Sequence, residues 1–238
     1  MNAEPTYLRL SQQILEQYAQ WPPSKPLPSE HELGSRFGVN RQTIRAAFDE
    51  LERRWLIRRI KGSGTFWAQR FEYRIGPEIA PSFTRTVRAA GANPRTVNSR
   101  PATRPASVTE REILGLNASA QVTVVERVRF IDNDPVSTAF SVLPAARVPR
   151  LATAMGIDDS LDAVLRRHYG YSPVRQWSQS RLSSPPADIA QMLGLRGRPP
   201  QILLRGLVCC ADSGQKLEYV ESYLRPDVFD VVTEVGKW

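Results

Sequence analysis

The sequence predicts an α+β protein of two domains, a small N-terminal one of helices with a β-hairpin and a larger one built on a mostly antiparallel sheet. Three observations predict this fold class. Residues 27–54 have helical periodicity with capping residues, and a basic hairpin pattern follows up to residue 68. Residues 82–224 contain an internal repeat whose helix-like and strand-like runs recur about 80 residues apart. With 238 residues, the chain has room for two ordinary domains.

The small domain begins with two helices. Apolar residues at helical spacing mark the first one, namely Tyr7, Leu10, Ile14 and Tyr18. The second helix is expected at residues 31–37, because Ser29 and Glu32 have the spacing of a capping box. Gly38 can take the positive φ that a sharp turn demands, so we expect the helix to end there.

The third helix carries the first functional signal. Asn40 caps it, and residues 41–54 place Ile44, Ala47, Phe48 and Leu51 on one apolar face. The opposite face begins with Arg41, Gln42, Thr43 and Arg45. Such side chains suit phosphates and base edges, and they lie at the end of the helix that enters a major groove.

A basic hairpin follows the third helix. Residues 55–61 are expected to form a strand, residues 62–65 a tight turn, and residues 66–68 the returning strand. The two glycines let the tip approach a duplex closely, while Arg58, Arg59 and Lys61 can meet phosphates. The pattern therefore predicts a winged helix-turn-helix, although a small helical domain with a solvated basic hairpin would give a similar pattern.

Several motifs of this region resemble the DNA-binding domain of the GntR family of bacterial transcription regulators. They are PSExEL, FxVxRxTIR, LxxxWL and GxGTF, and they cover the first 70 or so residues. The resemblance implies that Arg41 and Arg45 touch DNA, that Gln42 reads bases, and that the wing glycines lie over the minor groove. The predicted DNA contacts are Ser29, Arg41, Gln42, Thr43, Arg45, Arg58, Lys61, Gly62, Ser63, Gly64 and Thr65.

Composition narrows the possible functions. The net charge of +8 fits nucleic acid as a partner, and a hydrophobic content of 41% allows real cores. No apolar run approaches the roughly 20 residues needed to span a bilayer. Because the start, MNAEPTYLRL, lacks a basic-then-apolar leader, we expect a cytoplasmic protein.

The two cysteines are not expected to form a metal or redox site. Cys209 and Cys210 are neighbours on a strand-like run and point to opposite faces. With no metal-site spacing and no catalytic pairing in the sequence, we expect no metal, cofactor or catalytic residue.

The internal repeat organises the second half of the chain. Each half is expected to form a helix, a strand, a short helix, and two strands joined by a turn. The strands at 122–130 and 136–143 match those at 202–210 and 217–224. Residues 70–81 show no periodicity, so the predicted domains are 1–70 and 82–238, with a linker at 71–81.

A domain duplicated in this way has its natural cleft on a pseudo-two-fold axis. The matching helices begin at Ser82 and Ser160, so both helix N-termini, which attract anions, can face the cleft. Arg127 and Arg129 project from one face of a strand, and Glu218 lies on the last long strand. Surface ion pairs would explain the same residues. Since arginine binds phosphate oxygens bidentately, the pattern favours a phosphate- or phosphonate-bearing ligand.

The second half is also similar to a known domain. Its motifs SFTxxxxxxG, ERxRxxxxxPV, SLxxxLxxxYG and EYxxSxxRxD resemble the UTRA effector domain of the HutC subfamily of GntR regulators. The resemblance implies a chorismate-lyase-like fold that binds a small metabolite without catalysis. In relatives that bind phosphorylated sugars, the positions matching Ser82, Phe83, Thr84, Arg127, Arg129, Ser160 and Glu218 line the site.

Two departures distinguish this chain from those relatives. Asp162 replaces a common tyrosine, and Leu224 replaces a common aromatic residue. Within the subfamily, the VNRxTR helix and the segment EYRIGPEIAPSF are similar to those of regulators of phosphonate utilisation.

Taken together, the sequence predicts a ligand-responsive transcription regulator, a repressor that binds operator DNA as a homodimer and senses a small anionic metabolite. The alternative is a chorismate-lyase-like enzyme that acts on a small anionic substrate.

Overall fold

The computed structural model describes residues 5–60, 62–76, 82–156 and 160–234. The chain divides into two compact units, Met1–Arg70 and Phe71–Trp238. Across the described ranges, no helix is long and apolar enough to cross a membrane.

The first unit contains three helices and a two-stranded hairpin. In chain order these are α1 (Thr6–Tyr18), α2 (Glu30–Phe37), α3 (Arg41–Arg53), β1 (Ile57–Ile60) and β2 (Gly64–Trp67). The strands pair antiparallel, and the apolar stripes of all three helices meet in one core that includes Leu10, Ile14, Leu33, Ile44, Phe48 and Leu51. The predicted winged helix-turn-helix is confirmed.

The first strand of the wing begins two residues later than the sequence pattern suggests. Trp55 has a φ of 55°, the left-handed conformation that commonly ends a helix. The Leu56 amide donates to the Leu51 carbonyl at 2.9 Å, so the chain closes the end of α3 before β1 starts at Ile57.

The second unit is an α+β domain. In chain order it comprises β3 (Phe71–Ile75), α4 (Phe83–Ala89), β4 (Pro94–Asn98), β5 (Ala102–Pro105), α5 (Val108–Leu114), β6 (Gln121–Ile131), β7 (Asp134–Pro144), α6 (Leu151–Ala154), α7 (Leu161–Tyr169), β8 (Pro173–Ser183), α8 (Ala187–Met192), β9 (Gln201–Cys210), β10 (Lys216–Leu224) and β11 (Phe229–Thr233).

A seven-stranded sheet dominates this unit. Its order is β4-β6-β7-β10-β9-β8, and β5 also pairs with β6. The two halves meet where β7 pairs antiparallel with β10, with Ser141 opposite Val220. On each side of that seam the strands follow in the order of the repeat, so the predicted duplication is confirmed. The long strand β8 of the second half corresponds to two short strands of the first half, β4 and β5, which both pair with β6.

Helices cover both faces of the sheet. Leu161, Val164 and Leu165 of α7 pack with Val125 on one face. Its sequence neighbour Val124 packs with α5 on the other. Because successive residues of a strand point to opposite faces, this alternation places α5 and α7 on opposite sides.

One part of the predicted linker is wrong. Residues 71–75 form a strand, β3, which pairs in parallel with β11 near the end of the chain. Phe71, Tyr73 and Ile75 are buried, and the intervening Glu72 and Arg74 are exposed. Residues 77–81 of the predicted linker lie outside the described residues.

Candidate functional site

A cavity opens between the sheet of the second unit and the N-terminal ends of α4 and α7. The seven residues that the sequence singled out all line it, namely Ser82, Phe83, Thr84, Arg127, Arg129, Ser160 and Glu218. The cavity walls also include Tyr73, Asp162, Arg175, Val220 and Ser222. The structure therefore brings residues from both repeats to one place.

The two helix starts reach the cavity in different states. The Ser82 side chain caps α4 by accepting from the Arg85 amide at 3.4 Å. Ser160 occupies the corresponding position at α7, but its side chain makes no capping hydrogen bond. Backbone N–H groups in the first turn of a helix lack intrahelical partners and attract anions.

Arg127 and Glu218 form a buried ion pair at the cavity wall. Their closest charged atoms, Nη2 and Oε1, are 3.2 Å apart, and each residue is 8% exposed. The Ser141 hydroxyl bridges them, accepting from Arg127 and donating to Glu218. Burial and the neighbouring charge of Arg129 lower the pKa of Arg127 to about 10, and Glu218 opposes that shift.

The Glu218 Oε1 oxygen is bonded to Arg127 and Ser141, so the carboxylate neutralises an arginine of the same wall. Arg127 and Glu218 thus form an ion pair, as the alternative interpretation expects, but the pair is buried and does not lie at the surface. Asp162 lies at the cavity but pairs with Arg166 of the same helix at 3.0 Å.

Arg129 is the second buried arginine of the wall. It is 9% exposed, and its guanidinium lies 5.5 Å from the centre of the Phe83 ring. Its Nη1 atom and the Nε atom of Arg127 have no hydrogen-bond partner among the described residues. Buried donors are nearly always paired, and a guanidinium stays protonated in proteins. The wall therefore offers unsatisfied positive donors.

Sequence reasoning missed three residues of the cavity region. Tyr73 was hidden in the predicted linker, and nothing in the sequence showed that Ser141 would bridge the ion pair. Arg175 lies near the start of β8, two residues after Pro173, and only the assembled sheet shows that its side chain lines the cavity.

The recognition helix α3 has the cap that the sequence predicts. Asn40 Oδ1 accepts from the Thr43 amide at 2.8 Å and from the Thr43 hydroxyl at 2.9 Å. Gln42 is exposed. Arg41 and Arg45 are also exposed, and both face Glu30, with nitrogen–oxygen distances of 2.7 and 3.4 Å.

The other predicted DNA contacts lie on α2 and on the wing. Ser29 and Glu32 form a complete capping box at the start of α2. Gly62 and Gly64 have φ values of 80° and 121°, so the tip needs glycine at both positions, and Ser63 between them is exposed.

Strand register separates the two wing arginines. Arg58 lies opposite Phe66, whereas Arg59 lies opposite Thr65 and pairs with Asp49 of α3 at 2.6 Å. Arg59 is thus tied to α3 in the structure, although the sequence pattern predicts that it contacts a phosphate. Lys61 lies outside the described residues.

A winged helix-turn-helix followed by a sheet domain with a polar small-molecule cavity defines a ligand-responsive transcription regulator. Two family models match the chain. Residues 2–66 match that of the bacterial regulatory proteins of the gntR family, and residues 89–230 match that of the UTRA domain. The protein belongs to the GntR family, in the HutC branch that carries a UTRA effector domain.

Known relatives agree with this assignment. The HTH-type transcriptional regulator GgaR of Escherichia coli (strain K12) is 30% identical over 210 residues, covering 87% of this chain and 81% of that protein. The HTH-type transcriptional repressor NagR of Bacillus subtilis (strain 168) is 25% identical over 232 residues, covering 96% and 93%. The crystal structure of PhnF from Mycobacterium smegmatis superposes with a TM-score of 0.67 and 25% identity, covering 95% and 99%. These relatives are regulators and not enzymes.

Proposed function

We propose that this protein is a cytoplasmic repressor whose binding to operator DNA responds to a small metabolite with a phosphate or phosphonate group. The observation that supports the effector most strongly is the pair of buried arginines on one strand face. Arg127 and Arg129 are both more than nine-tenths buried, and each has a nitrogen without a partner among the described residues. A positive wall of this kind costs stability unless an anion satisfies it.

The chemistry of the donors favours a tetrahedral oxyanion. Guanidinium groups bind phosphate oxygens through paired, charge-assisted hydrogen bonds. The uncapped hydroxyl of Ser160 and the first turn of α7 add donors to the same cavity. The effector residues of this proposal are Ser82, Phe83, Thr84, Arg127, Arg129, Ser160 and Glu218.

Operator binding would use the exposed end of α3 and the wing. Glu30 holds Arg41 and Arg45 at the surface, where a DNA phosphate or a guanine edge can replace it. One short recognition helix contacts too few bases for useful specificity. We therefore propose a homodimer on a two-fold symmetric operator. The repressor role is supported by the relative NagR, which is a transcriptional repressor.

The connection between the two units suggests how an effector would be sensed. β3 begins at Phe71, the residue after the first unit, and Tyr73 of that strand lines the cavity. The chain returns to the cavity at Ser82. A ligand that contacts both ends of this segment can change its order or direction. Coupling of this kind is typically about 1–3 kcal/mol and is reciprocal.

A ligand screen on the full chain tests the proposal. Melting temperatures are measured with phosphate esters, phosphonates and amino acids, since a bound ligand stabilises the folded state by mass action. We expect a shift from phosphate- or phosphonate-bearing compounds, and a change in operator affinity at the same ligand concentration. Operator DNA should change the affinity for the ligand by the same factor by which the ligand changes the affinity for the operator. Equal ligand affinity with and without operator would refute the coupling.

Matched variants identify the site. Arg129→Gln should abolish the ligand response and leave operator binding intact. Arg205→Gln is the control, because Arg205 pairs with Glu221 at 3.0 Å and is not part of the cavity wall. A ligand response that survives in Arg129→Gln would refute the assignment of the effector site.

A variant of the recognition helix tests the DNA side. Arg45→Ala should cost about 1–3 kcal/mol of binding free energy at the cognate operator if Arg45 contacts a guanine bidentately. An equal loss on unrelated DNA would make it a phosphate contact.

A further inference from the structure

Arg175 stands out among the cavity residues because its charge has no evident partner. It lies on β8, and its Nε and Nη1 atoms have no hydrogen-bond partner among the described residues. Both atoms are shielded from solvent, and the side chain lines the same cavity as Arg127 and Arg129. A surface arginine without a binding role normally extends its guanidinium group into water.

The sheet is built to admit this side chain. The register between β8 and β9 shifts between Arg175 and Trp177, a bulge that can redirect a side chain. On β9, Gly206 leaves the sheet face bare, and a Cβ at that position would overlap the Arg175 guanidinium. Its backbone does not have a positive φ, so the glycine is needed here for space and not for conformation.

Charges at the cavity wall do not balance. Three arginines, Arg127, Arg129 and Arg175, face it. Glu218 is bonded to Arg127, and Asp162 is paired with Arg166. Arg129 and Arg175 therefore remain as two positive charges without a carboxylate among the described residues that line the cavity.

We propose that Arg175 is a specificity residue of the effector site, which selects an anionic group with two negative charges over one with a single charge. This inference rests on the proposed function, and it narrows the effector to a phosphate monoester or a phosphonate. A phosphate monoester carries about −1.5 to −2 charges at pH 7, which matches the two uncompensated arginines, and a phosphonate likewise has two oxygens that can ionise. A carboxylate or a sulfate ester carries one charge and leaves one guanidinium unmatched.

Two small probes of the same shape test the proposal. Methyl phosphate carries close to two charges at pH 8, because the second pKa of a phosphate monoester is about 6, whereas methyl sulfate carries one. Dissociation constants are measured by calorimetry on the full chain. We expect the natural protein to prefer methyl phosphate by about tenfold or more, since only this probe brings a second negative charge to the two uncompensated guanidinium groups.

Variants separate this proposal from the proposed function. Arg175→Gln should lower the affinity for methyl phosphate about tenfold or more and change that for methyl sulfate by less than about threefold. Gly206→Ala, which displaces the guanidinium while keeping its charge in the protein, should act in the same direction. Arg205→Gln on neighbouring β9 should change neither constant. Melting temperatures establish that each variant is folded.

Each outcome decides one of the two proposals. If the natural protein binds methyl phosphate and Arg175→Gln retains both its affinity and its preference, the role of Arg175 is overturned and the anionic effector site stands. If the natural protein binds methyl sulfate as tightly as methyl phosphate, selection by charge is overturned. If it binds neither probe, both the inference and the proposed anionic effector are overturned.

Discussion

Glu218→Gln tests whether Glu218 neutralises the buried positive charge of Arg127 at the cavity wall. The substitution keeps the size of the side chain and removes the negative charge that faces Arg127 at 3.2 Å. Arg127 is 8% exposed, so the loss leaves a guanidinium almost without water or counter-charge. Breaking a buried pair by removing one partner typically costs about 3–5 kcal/mol.

That cost can be measured as a melting temperature. For a unit of this size, 1 kcal/mol corresponds to about 2–4 °C, so Glu218→Gln should lower the Tm of the effector unit by roughly 6–20 °C. Scanning calorimetry of the full chain gives the value. Added sulfate should raise the Tm more in the variant than in the natural protein, because an oxyanion then takes over the role of the carboxylate.

Two control variants sharpen the test. Arg127→Gln combined with Glu218→Gln removes both charges and should recover most of the lost stability. Ser141→Ala removes only the bridging hydroxyl and should cost about 1–3 kcal/mol. A Tm for Glu218→Gln within about 2 °C of the natural protein would refute the reasoning, since less than about 1 kcal/mol would then depend on the pair.

Two further predictions concern acid sensitivity and the recognition helix. The Arg104 guanidinium holds the pKa of Glu110 well below its usual range, at about 2. The stability from this contact is therefore complete above pH 4.5 and lost as the pH falls toward 2. The Tm difference between the natural protein and Arg104→Gln should shrink over that range. A difference that is constant with pH would contradict this. Asn40→Ala should destabilise the first unit by about 1 kcal/mol through loss of the α3 cap. Asn40→Asp should keep the Tm but weaken DNA binding, and equal DNA affinity in titrations would refute a close approach of DNA to this helix end.

The long strands could be predicted because their signals are local. Runs rich in valine, isoleucine and leucine, each bounded by a turn with Asp, Gly or Pro, placed β6, β7, β9 and β10 to within two residues. The repeat then predicted that the two halves form one sheet, and in the structure the equivalent strands β7 and β10 pair edge to edge. The match between the two halves of the repeat also predicted that helices begin at Ser82 and Ser160, as α4 and α7 do.

β3 escaped because its signal is not local. It has five residues, two of them charged, and its partner β11 lies more than 150 residues further along the chain. A short strand of this kind is stabilised by packing, here by Phe71 and Tyr73 against Phe229. Nothing in residues 71–75 alone distinguishes it from an extended linker.

The charge partners at the cavity could not be predicted for a different reason. The sequence shows that Arg127 and Arg129 share a strand face, but not that Glu218 comes from a strand two positions away to neutralise one of them. It shows a glycine at residue 206, but not that an arginine from the next strand lies in the space left by its missing side chain. Both facts depend on strand order and register across the sheet. The sequence alone could therefore suggest an anion site, whereas the proposed selection of a doubly charged anion rests on the assembled sheet.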